Sequence, residues 1–411
     1  MARRTDDDDG DRGAGTTAPA DEHPDAFANA MRFPLRVGQA LSVLPVDAMT
    51  GARSRPRAVY SVVTNVGLSL LAILSAVMQL SKPKRPDLVE FMVVVFYTMA
   101  AINSWLFYRL GRRWWAALLR AFRVQDRRQG PCPGLRRKIF AISSLLLGVS
   151  FVEHSLSEMT AVVGLSRAHP NASSFSECLE LYYYANYPMV IMAVGYWPFM
   201  APFAFMLNFV ATFLWNFNDL FLMSMGVAVA SRFEFLRESI EKDVGDVLDA
   251  KAAGTTPRLL GKAYWRSARR AYNALSKLAR LVDQALNVQL FVSFLNNLYF
   301  VCMQLLRGFD GPSVRWWESL YILFSFGFLV VRTSAVCLMA ASVVENSRSV
   351  LGVLHSVCSE DYNEEVHRFL VQVASDDVAL TGLNMFKVTR GLLLTVAGTI
   401  LTYEVVLVQL H

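Results

Sequence analysis

The chain has 411 residues, of which 54% are hydrophobic and only 18% are charged, and its formal net charge is +6. Soluble domains average about 45–50% apolar and about 25% charged residues, so this composition excludes an ordinary soluble globule and indicates a membrane protein. The basic residues stand in separate blocks between apolar runs, which argues against a nucleic-acid-binding patch.

The chain begins with a polar segment that contains "RRTDDDDGDRGAG". Its high charge and low apolar content predict a disordered tail over residues 1–30, with no cleavable signal peptide, so the first apolar run should act as a signal anchor. The spacing of the five cysteines matches no zinc or redox motif, and we expect buried, unpaired thiols and no metal or cofactor. These cysteines are Cys132, Cys178, Cys302, Cys337 and Cys358.

Seven apolar runs are long enough to cross a bilayer, for which about 20 residues are needed. They extend from about Val59 to Leu80, Leu88 to Tyr108, Ile139 to Leu165, Tyr187 to Val229, Leu286 to Leu306, Trp317 to Val344 and Met385 to Leu410. The fourth run carries Pro188, Pro198 and Pro202 in its first half, which predicts a kinked helix.

The distribution of Lys and Arg predicts the orientation of these spans. Basic residues are dense before span one, between spans two and three and between spans four and five, whereas the alternate loops are poor in them. The N-terminus is therefore predicted to be cytoplasmic and His411 to lie outside, so that no tail follows the last span. The glycosylation acceptor "NAS", beginning at Asn171, falls in a loop that this topology places outside.

Two further helices are predicted on the cytoplasmic side. Residues 256–283 carry apolar side chains at helical spacing with a basic opposite face, and they should extend span five into the cytoplasm. The segment "DYNEEVHRFLVQVAS" precedes span seven. Both could be solvated helices, but because their apolar stripes need cover, packing between subunits is the favoured prediction.

The last span carries one polar stripe. Thr395, Thr399, Thr402, Val406 and Gln409 are spaced so that they share one helix face. Such a stripe is compatible with hydrogen bonds between helices. It is also compatible with the lining of a water-filled pore that has a hydrophobic constriction, to which Leu410 would contribute.

The same segment, "TYEVVLVQL", resembles the closing signature of the insect gustatory receptors. Thr402, Tyr403 and Gln409 match that signature, and Leu410 stands where the family usually has Phe. Further segments resemble the sugar-receptor branch of the family, namely "WNFNDLFLMSMGVAVASRF", "NLYFVCMQLL", "SEDYNEEVHRFL" and the whole of the last 36 residues from "DDVALTG" onward.

The resemblance implies an all-α channel gated by a sugar, similar in architecture to the insect odorant receptors. Its seven transmembrane helices would assemble as a homotetramer, or as a heteromer with related receptors, in the plasma membrane of a sensory neuron. The seventh helices would line a pore for cations, with Gln409 and Leu410 at the gate. The partners implied are a sugar, membrane lipid and permeant cations, with no nucleic acid and no enzyme activity.

The resulting domain division has six parts. It comprises a tail over 1–30, a ligand-binding bundle of spans one to four over 31–230, a cytoplasmic anchor extension over 231–285, spans five and six over 286–346, a cytoplasmic anchor helix over 347–382 and the pore helix over 383–411.

A sugar site needs carboxylates or amides for hydroxyl groups and aromatic faces for C–H surfaces. Span three supplies a polar cluster at Glu153, His154, Ser157 and Glu158, where ionisable groups are costly and so are functional candidates. The other candidates are Tyr97, Tyr187, Tyr196, Trp197, Gln304, Trp317 and Tyr321. The alternatives are a buried polar network and aromatic residues placed at the bilayer interface. Arg332, in the middle of span six, needs an acceptor, for which Glu404 or a buried carbonyl is the expectation.

Two other classes of membrane protein remain alternatives. A G-protein-coupled receptor also has seven spans, but its N-terminus would lie outside, against the charge distribution, and the chain lacks its Asp-Arg-Tyr and Asn-Pro-x-x-Tyr motifs. A transporter usually shows two related halves with broken helices at matching places, and here the prolines cluster in span four alone.

Overall fold

The computed structural model describes residues 23–42, 44–47, 49–81, 88–171, 174–254, 260–309, 316–398 and 402, without the side chains of 88, 89, 307–309 and 316–318. Within these residues the chain is almost entirely helical. The helices are α1 Phe27–Ala30, α2 Arg32–Ala40, α3 Arg55–Leu80, α4 Leu88–Arg113, α5 Trp115–Gln129, α6 Leu135–Ala168, α7 Phe175–Asn186, α8 Pro188–Val194, α9 Met200–Ala252, α10 Lys262–Phe309, α11 Trp316–His355 and α12 Glu364–Ser375. The strands β1 Thr381–Gly382 and β2 Phe386–Lys387 form an antiparallel hairpin.

Six of the described helices, α3, α4, α6, α9, α10 and α11, are long and apolar enough to cross a membrane. They coincide with the first six predicted spans. The seventh predicted span is described only in part, with helical backbone over residues 390–398 and at Thr402. Its predicted start at Met385 is corrected, because that residue lies in the turn of the β1–β2 hairpin and helical backbone begins at residue 390.

The fourth predicted span is broken rather than kinked. Helix α8 ends at Gly195, whose φ of 73° is left-handed, and α9 begins at Met200 after a turn that contains Pro198. Pro188 opens α8 and Pro202 lies in the first turn of α9, where a missing N–H group costs no helical hydrogen bond. Helix α9 then continues for 53 residues, about 80 Å, which is far longer than the hydrocarbon core of about 30 Å.

The helices that were predicted to be cytoplasmic pack on one another within a single chain. The predicted extension of span five is helical from Lys262 and continuous with the span. Tyr272, at the centre of its apolar stripe, is fully buried between Phe233 of α9 and Phe369 of α12, with ring centroids 5.6 Å away in each case. The expectation that packing between subunits covers these stripes is therefore corrected, because the same chain covers them.

The arginine-rich segment between spans two and three forms a helix that sequence analysis did not predict. Helix α5 buries Phe122 against Phe27 of α1, with ring centroids 3.6 Å apart. The carboxylate of Asp126 is buried, accepts a hydrogen bond from the backbone N–H of Phe27 at 3.1 Å and pairs with the buried Arg232 of α9. Because α1 is ordered and packed, the ordered chain begins before residue 30, which corrects the predicted end of the tail.

Helices α9 and α11 approach each other closely at Gly226. A β-carbon at this position would lie 2.6 Å from the carbonyl oxygen of Met339, so any larger residue would push the two helices apart. On α11, Met339 lies one turn beyond Ala335 and about two turns beyond Arg332. The contact of Gly226 with Met339 therefore fixes which part of α9 lies beside Arg332.

Candidate ligand-binding site

A cavity of about 280 Å³ lies between the ends of the spans that are predicted to be extracellular. Its volume is slightly below the range of about 300–1,000 Å³ that small-molecule sites occupy. It is lined by Met92, Val93, Phe96, Tyr97, Ser157, Glu158, Ala161, Tyr182, Asn186, Tyr187, Asn208 and Phe300. One carboxylate, two amides, several hydroxyls and several aromatic rings therefore converge on one small space, which suits a ligand rich in hydroxyl groups.

The first wall of the cavity joins α4 to α9. Tyr97 is only 3% exposed, and its hydroxyl donates to the side-chain oxygen of Asn208 at 3.1 Å. Sequence analysis identified Tyr97 but missed Asn208, although an amide inside an apolar run was a readable signal. The amide nitrogen of Asn208 faces the hydroxyl of Tyr187, so this side chain can donate either to Tyr187 or to a ligand hydroxyl.

The second wall joins α6 to α7. The hydroxyl of Tyr182 donates to the carboxylate of Glu158. Burial, and then the bond to Glu158, raise the pKa of Tyr182 above its ordinary value, so the hydroxyl stays protonated. His154 lies behind this pair, with Nε2 4.0 Å from Glu158 Oε1, and its ring edge packs on Phe209. At this distance His154 is near Glu158 but not hydrogen-bonded to it, and His154 does not line the cavity.

Glu153 belongs to a separate polar network that joins α6 to α11. Its Oε1 accepts hydrogen bonds from Ser325 Oγ at 2.8 Å and from the hydroxyl of Tyr321 at 3.4 Å, and Gln304 of α10 donates to Ser325 Oγ at 3.3 Å. Glu153 and Glu158 are five residues apart, which places them about 140° apart around α6. The structure thus brings Glu153, Tyr321 and Gln304 together, but away from the lining of the cavity.

The remaining predicted residues have varied positions. Ser157 and Tyr187 line the cavity, whereas Tyr196 packs on Tyr183 at 5.8 Å and Trp197 is 60% exposed. The side chain of Trp317 lies outside the described part of the chain. Asn171 is exposed in the turn after α6, as a glycosylation acceptor requires.

Two of the predicted pore residues lie within the described part of the chain. Thr395 and Thr402 are both exposed, and their hydroxyls donate to the carbonyl oxygens of Gly391 at 3.1 Å and Gly398 at 2.8 Å. The predictions for Thr399, Tyr403, Val406, Gln409 and Leu410 lie outside the described residues.

A buried charged network lies deeper in the bundle. Arg332 Nε is 3.0 Å from Asp219 Oδ2, and the guanidinium group also donates to Asn216 and stacks over the ring of Trp215, at 4.4 Å from its centroid. Asp219 and Arg332 are 0% and 3% exposed. The expected acceptor for Arg332, Glu404 or a buried carbonyl, is therefore corrected to the Asp219 carboxylate, while Glu404 lies outside the described residues.

Helix α10 supplies further hydrogen-bond donors to Asp219. Ser293 Oγ donates to Asp219 Oδ1 at 2.5 Å, and Asn297 Nδ2 donates to Asp219 Oδ2 at 3.1 Å. The side-chain oxygen of Asn297 accepts a hydrogen bond from Trp215 at 2.7 Å. Since Phe300 of the same helix lines the cavity, α10 connects the cavity wall to the buried charges within about two helical turns.

The part of α10 that is predicted to be cytoplasmic holds the hairpin that precedes the final helix. The carboxylate of Asp283 accepts hydrogen bonds from the backbone N–H of Thr381 at 2.6 Å and from its hydroxyl at 3.0 Å. The backbone N–H of Leu383 donates to the carbonyl oxygen of Asn287 at 3.1 Å, and Phe386 packs on Phe294 at 5.9 Å. One helix therefore contacts the cavity, the charged network and the entry to the final span.

Comparison with known proteins gives matches along most of the chain. A family described as "Trehalose receptor" matches residues 11–411. The chain is 33% identical over 327 residues to "Gustatory receptor 5a for trehalose" of Drosophila melanogaster, a match that covers 77% of this chain and 69% of the relative. It is 37% identical over 270 residues to "Gustatory receptor for sugar taste 64f" of the same species, covering 65% of this chain and 54%, about half, of that relative.

The fold also has a solved counterpart. The structure of the insect olfactory receptor OR5 from Machilis hrabei superposes with a TM-score of 0.66 at 14% identity, covering 94% of this chain and 100% of that chain. The two chains share a multi-pass helical fold, which confirms the predicted fold class. By its match to the family and to its sugar-taste relatives, this chain belongs to the trehalose receptor family, in the sugar branch of the insect gustatory receptors.

Proposed function

We propose that the chain is a sugar-gated cation channel in which a sugar binds the cavity between α4, α6, α7 and α9. The observation that carries the proposal is the convergence of Glu158, Asn208 and Tyr97 with aromatic rings in one small cavity. A carboxylate accepts from two adjacent hydroxyls of a sugar, and an amide both donates and accepts. The rings of Phe96 and Tyr187 offer faces for the C–H surface of a pyranose.

The first ligand to test is trehalose, because the family and one relative are described as receptors for it. The chain should be expressed alone, purified and reconstituted in a planar bilayer without G proteins, with a panel of sugars added to either side. A sugar-evoked current supports a channel, whereas binding without current would favour a receptor of the G-protein-coupled class. If no sugar binds and no sugar evokes a current, the assignment of a sugar as the ligand is contradicted.

The cavity assignment is tested separately with Glu158→Gln. Loss of the charge weakens two hydrogen bonds to sugar hydroxyls that are charge-assisted, each worth about 1.5–3 kcal/mol, so the half-activating concentration should rise at least tenfold. Glu177→Gln is the matched control, because Glu177 lies on α7 at the same end of the molecule, is exposed and does not line the cavity. Equal responses of the two variants, at equal surface expression, would refute a role for Glu158.

The proposed pore is formed by four copies, each of which contributes its final helix. Sugar binding would favour a state in which the spans are contracted around the cavity. Helix α10 would transmit this change, because it bears Phe300 at the cavity and Asp283 at the hairpin before the final helix. Shifting the channel from almost always closed to almost always open requires about 5.5 kcal/mol of differential affinity, which four coupled sites share.

A further inference from the structure

A second cavity, of about 570 Å³, lies at the opposite end of the spans, between the N-terminal helices and the start of α6. It is lined by Pro24, Asn29, Ala30, Arg32, Phe33, Arg36, Arg136 and Phe140. Three arginines and two phenylalanines thus share one open cavity, which we call the basic cavity. Nothing in the proposed sugar response uses it.

The three guanidinium groups of the basic cavity have no acidic partner within the described part of the chain. Arg32, Arg36 and Arg136 are all exposed. Asp25 is the acid beside them, and its two oxygens accept from the backbone N–H groups of Gly134 and Arg136, each at 3.1 Å. The carboxylate therefore caps the N-terminus of α6 and leaves the arginine side chains available to an anionic ligand.

The predicted start of span three, at Ile139, places the basic cavity at the level of the lipid headgroups on the predicted cytoplasmic side. Arg136 is the second residue of α6, and Phe140 lies one turn, about 6 Å, further along the same helix into the predicted span. Phe140 is 54% exposed and Phe33 is 37% exposed, with their ring centroids 5.3 Å apart. Cationic groups at the membrane surface are thus followed by an apolar surface at the depth of acyl chains.

Helix α2, which carries two of the arginines, is held firmly in place. Pro34, Leu35 and Gly38 are buried, and a β-carbon at Gly38 would lie 2.4 Å from the ring of Phe217 of α9. Because this tight contact fixes one face of α2 against α9, the opposite face is held toward the cavity. That face carries Arg32 and Arg36, one turn apart. The site is therefore built by the fold, unlike a mobile basic tail.

We propose that the basic cavity binds an anionic phospholipid of the cytoplasmic leaflet whose headgroup carries more than one phosphate. Arginine binds phosphate oxygens in a two-pronged geometry, and three guanidinium groups match a headgroup with several phosphates better than one with a single phosphate. Basic pockets at the cytoplasmic ends of spans bind such headgroups. The acyl chains would lie against Phe33 and Phe140.

The test uses the purified full-length chain in phosphatidylcholine nanodiscs and dioctanoyl phosphatidylinositol 4,5-bisphosphate as the probe. The double variant Arg36→Gln, Arg136→Gln should lose at least tenfold in affinity, and Arg36→Lys, Arg136→Lys should lose less. The matched control is Arg120→Gln, Arg128→Gln, which removes two exposed arginines of α5 outside the basic cavity, and it should change affinity less than twofold.

Two further ligands distinguish the sources of the anion. Inositol 1,4,5-trisphosphate should bind at least tenfold more weakly than the lipid, and Phe33→Ala with Phe140→Ala should remove that difference. Equal affinity for the lipid and the soluble phosphate would overturn the assignment to a lipid. Equal loss in the Arg36/Arg136 and Arg120/Arg128 glutamine variants, or tighter binding of an acidic peptide than of the lipid, would overturn it as well.

Discussion

Asp219 and Arg332 are opposite charges held together inside the apolar part of the bundle. Each is almost fully buried, and their hydrogen-bonding capacity is largely used by Asn216, Ser293 and Asn297. Removing one partner of such a pair leaves an uncompensated charge and costs about 3–5 kcal/mol, whereas replacing both with apolar residues of similar volume costs far less. Loss of one charge should therefore destabilise the fold more than replacement of both residues.

We therefore expect Asp219→Leu and Arg332→Met to lower the thermal stability of the detergent-solubilised receptor strongly, and the double variant to recover most of the loss. The midpoint of thermal unfolding of each variant, measured by size-exclusion chromatography of a fluorescent fusion, gives this coupling. Asp47→Asn is the control, since the pair of Asp47 with Arg57 is 35% and 38% exposed and should contribute about 0–1 kcal/mol. Additive losses in the double variant would contradict the coupling.

Arg332 was predictable from the sequence as a cation inside a span, but its partner Asp219 was not. Asp219 was visible as an acid within an apolar run, which is itself a signal of function. Its pairing with Arg332 was not readable, because α9 and α11 are apolar around most of their circumference, so hydrophobic periodicity does not define which faces meet. The contact at Gly226, where the backbones of the two helices touch, is what fixes this register.

One glutamate of α12 adds an ionic contact with α10 to the apolar packing of Phe369 on Tyr272. Glu365 lies in the first turn of α12, and its two oxygens accept from Arg266 at 3.3 Å and Arg269 at 3.1 Å. Burial opposes its ionisation, but the hydrogen bonds from Arg269 and Arg266 outweigh this effect and lower the pKa of Glu365 below its ordinary value. Its stabilising effect is therefore fully present above about pH 4.5 and is lost as the pH falls through the lowered pKa.

We expect Glu365→Gln to reduce the hydrogen-exchange protection of residues 364–375 at pH 7, and the wild type to keep its protection down to about pH 5. As the pH falls below 4.5 and through the lowered pKa of Glu365, the wild type should approach the variant, once intrinsic exchange rates are corrected for pH. Glu364→Gln is the control, because Glu364 is on the same turn but 65% exposed and pairs with Arg368 of its own helix. Similar loss of protection in both variants would show that helix charge, not the contact with α10, sustains α12.

Sequence patterns predicted most of the helices but not every boundary. Helix α5 was missed although Trp115, Leu118, Leu119 and Phe122 are buried at helical spacing, because the many arginines of the segment were interpreted as a loop. The break before α9 was predicted as a kink, since prolines alone do not distinguish a bent helix from two helices. The left-handed conformation at Gly195 decides for two helices.

At the scale of the whole molecule, the cavity combines residues that the sequence shows separately. Ser157 and Glu158 on α6, Tyr97 on α4 and Tyr187 before α8 were predicted and do line it. Tyr182 and Asn208 were missed, because the packing of α7 and α9 against α6 depends on tertiary contacts that no local pattern specifies. The separation of Glu153 from Glu158 was readable from helix geometry, but which of the two faces the cavity was not.

The proposed assembly makes a prediction about the final helix. In a single chain Thr395 and Thr402 are exposed, and in a tetramer with a central pore these positions would face water. Thr402→Cys, made in a Cys178→Ser background because Cys178 is an exposed thiol, should be modified by a charged methanethiosulfonate reagent and the sugar-evoked current should fall by more than half. Modification should be faster with sugar than without, because opening admits water.

Leu70→Cys, at an exposed apolar position of α3, is the control and should stay unmodified, since lipid excludes the charged reagent. Modification of Thr402→Cys that leaves the current unchanged would mean that its helix lies outside the conduction path, and the pore would then have to be sought between other spans.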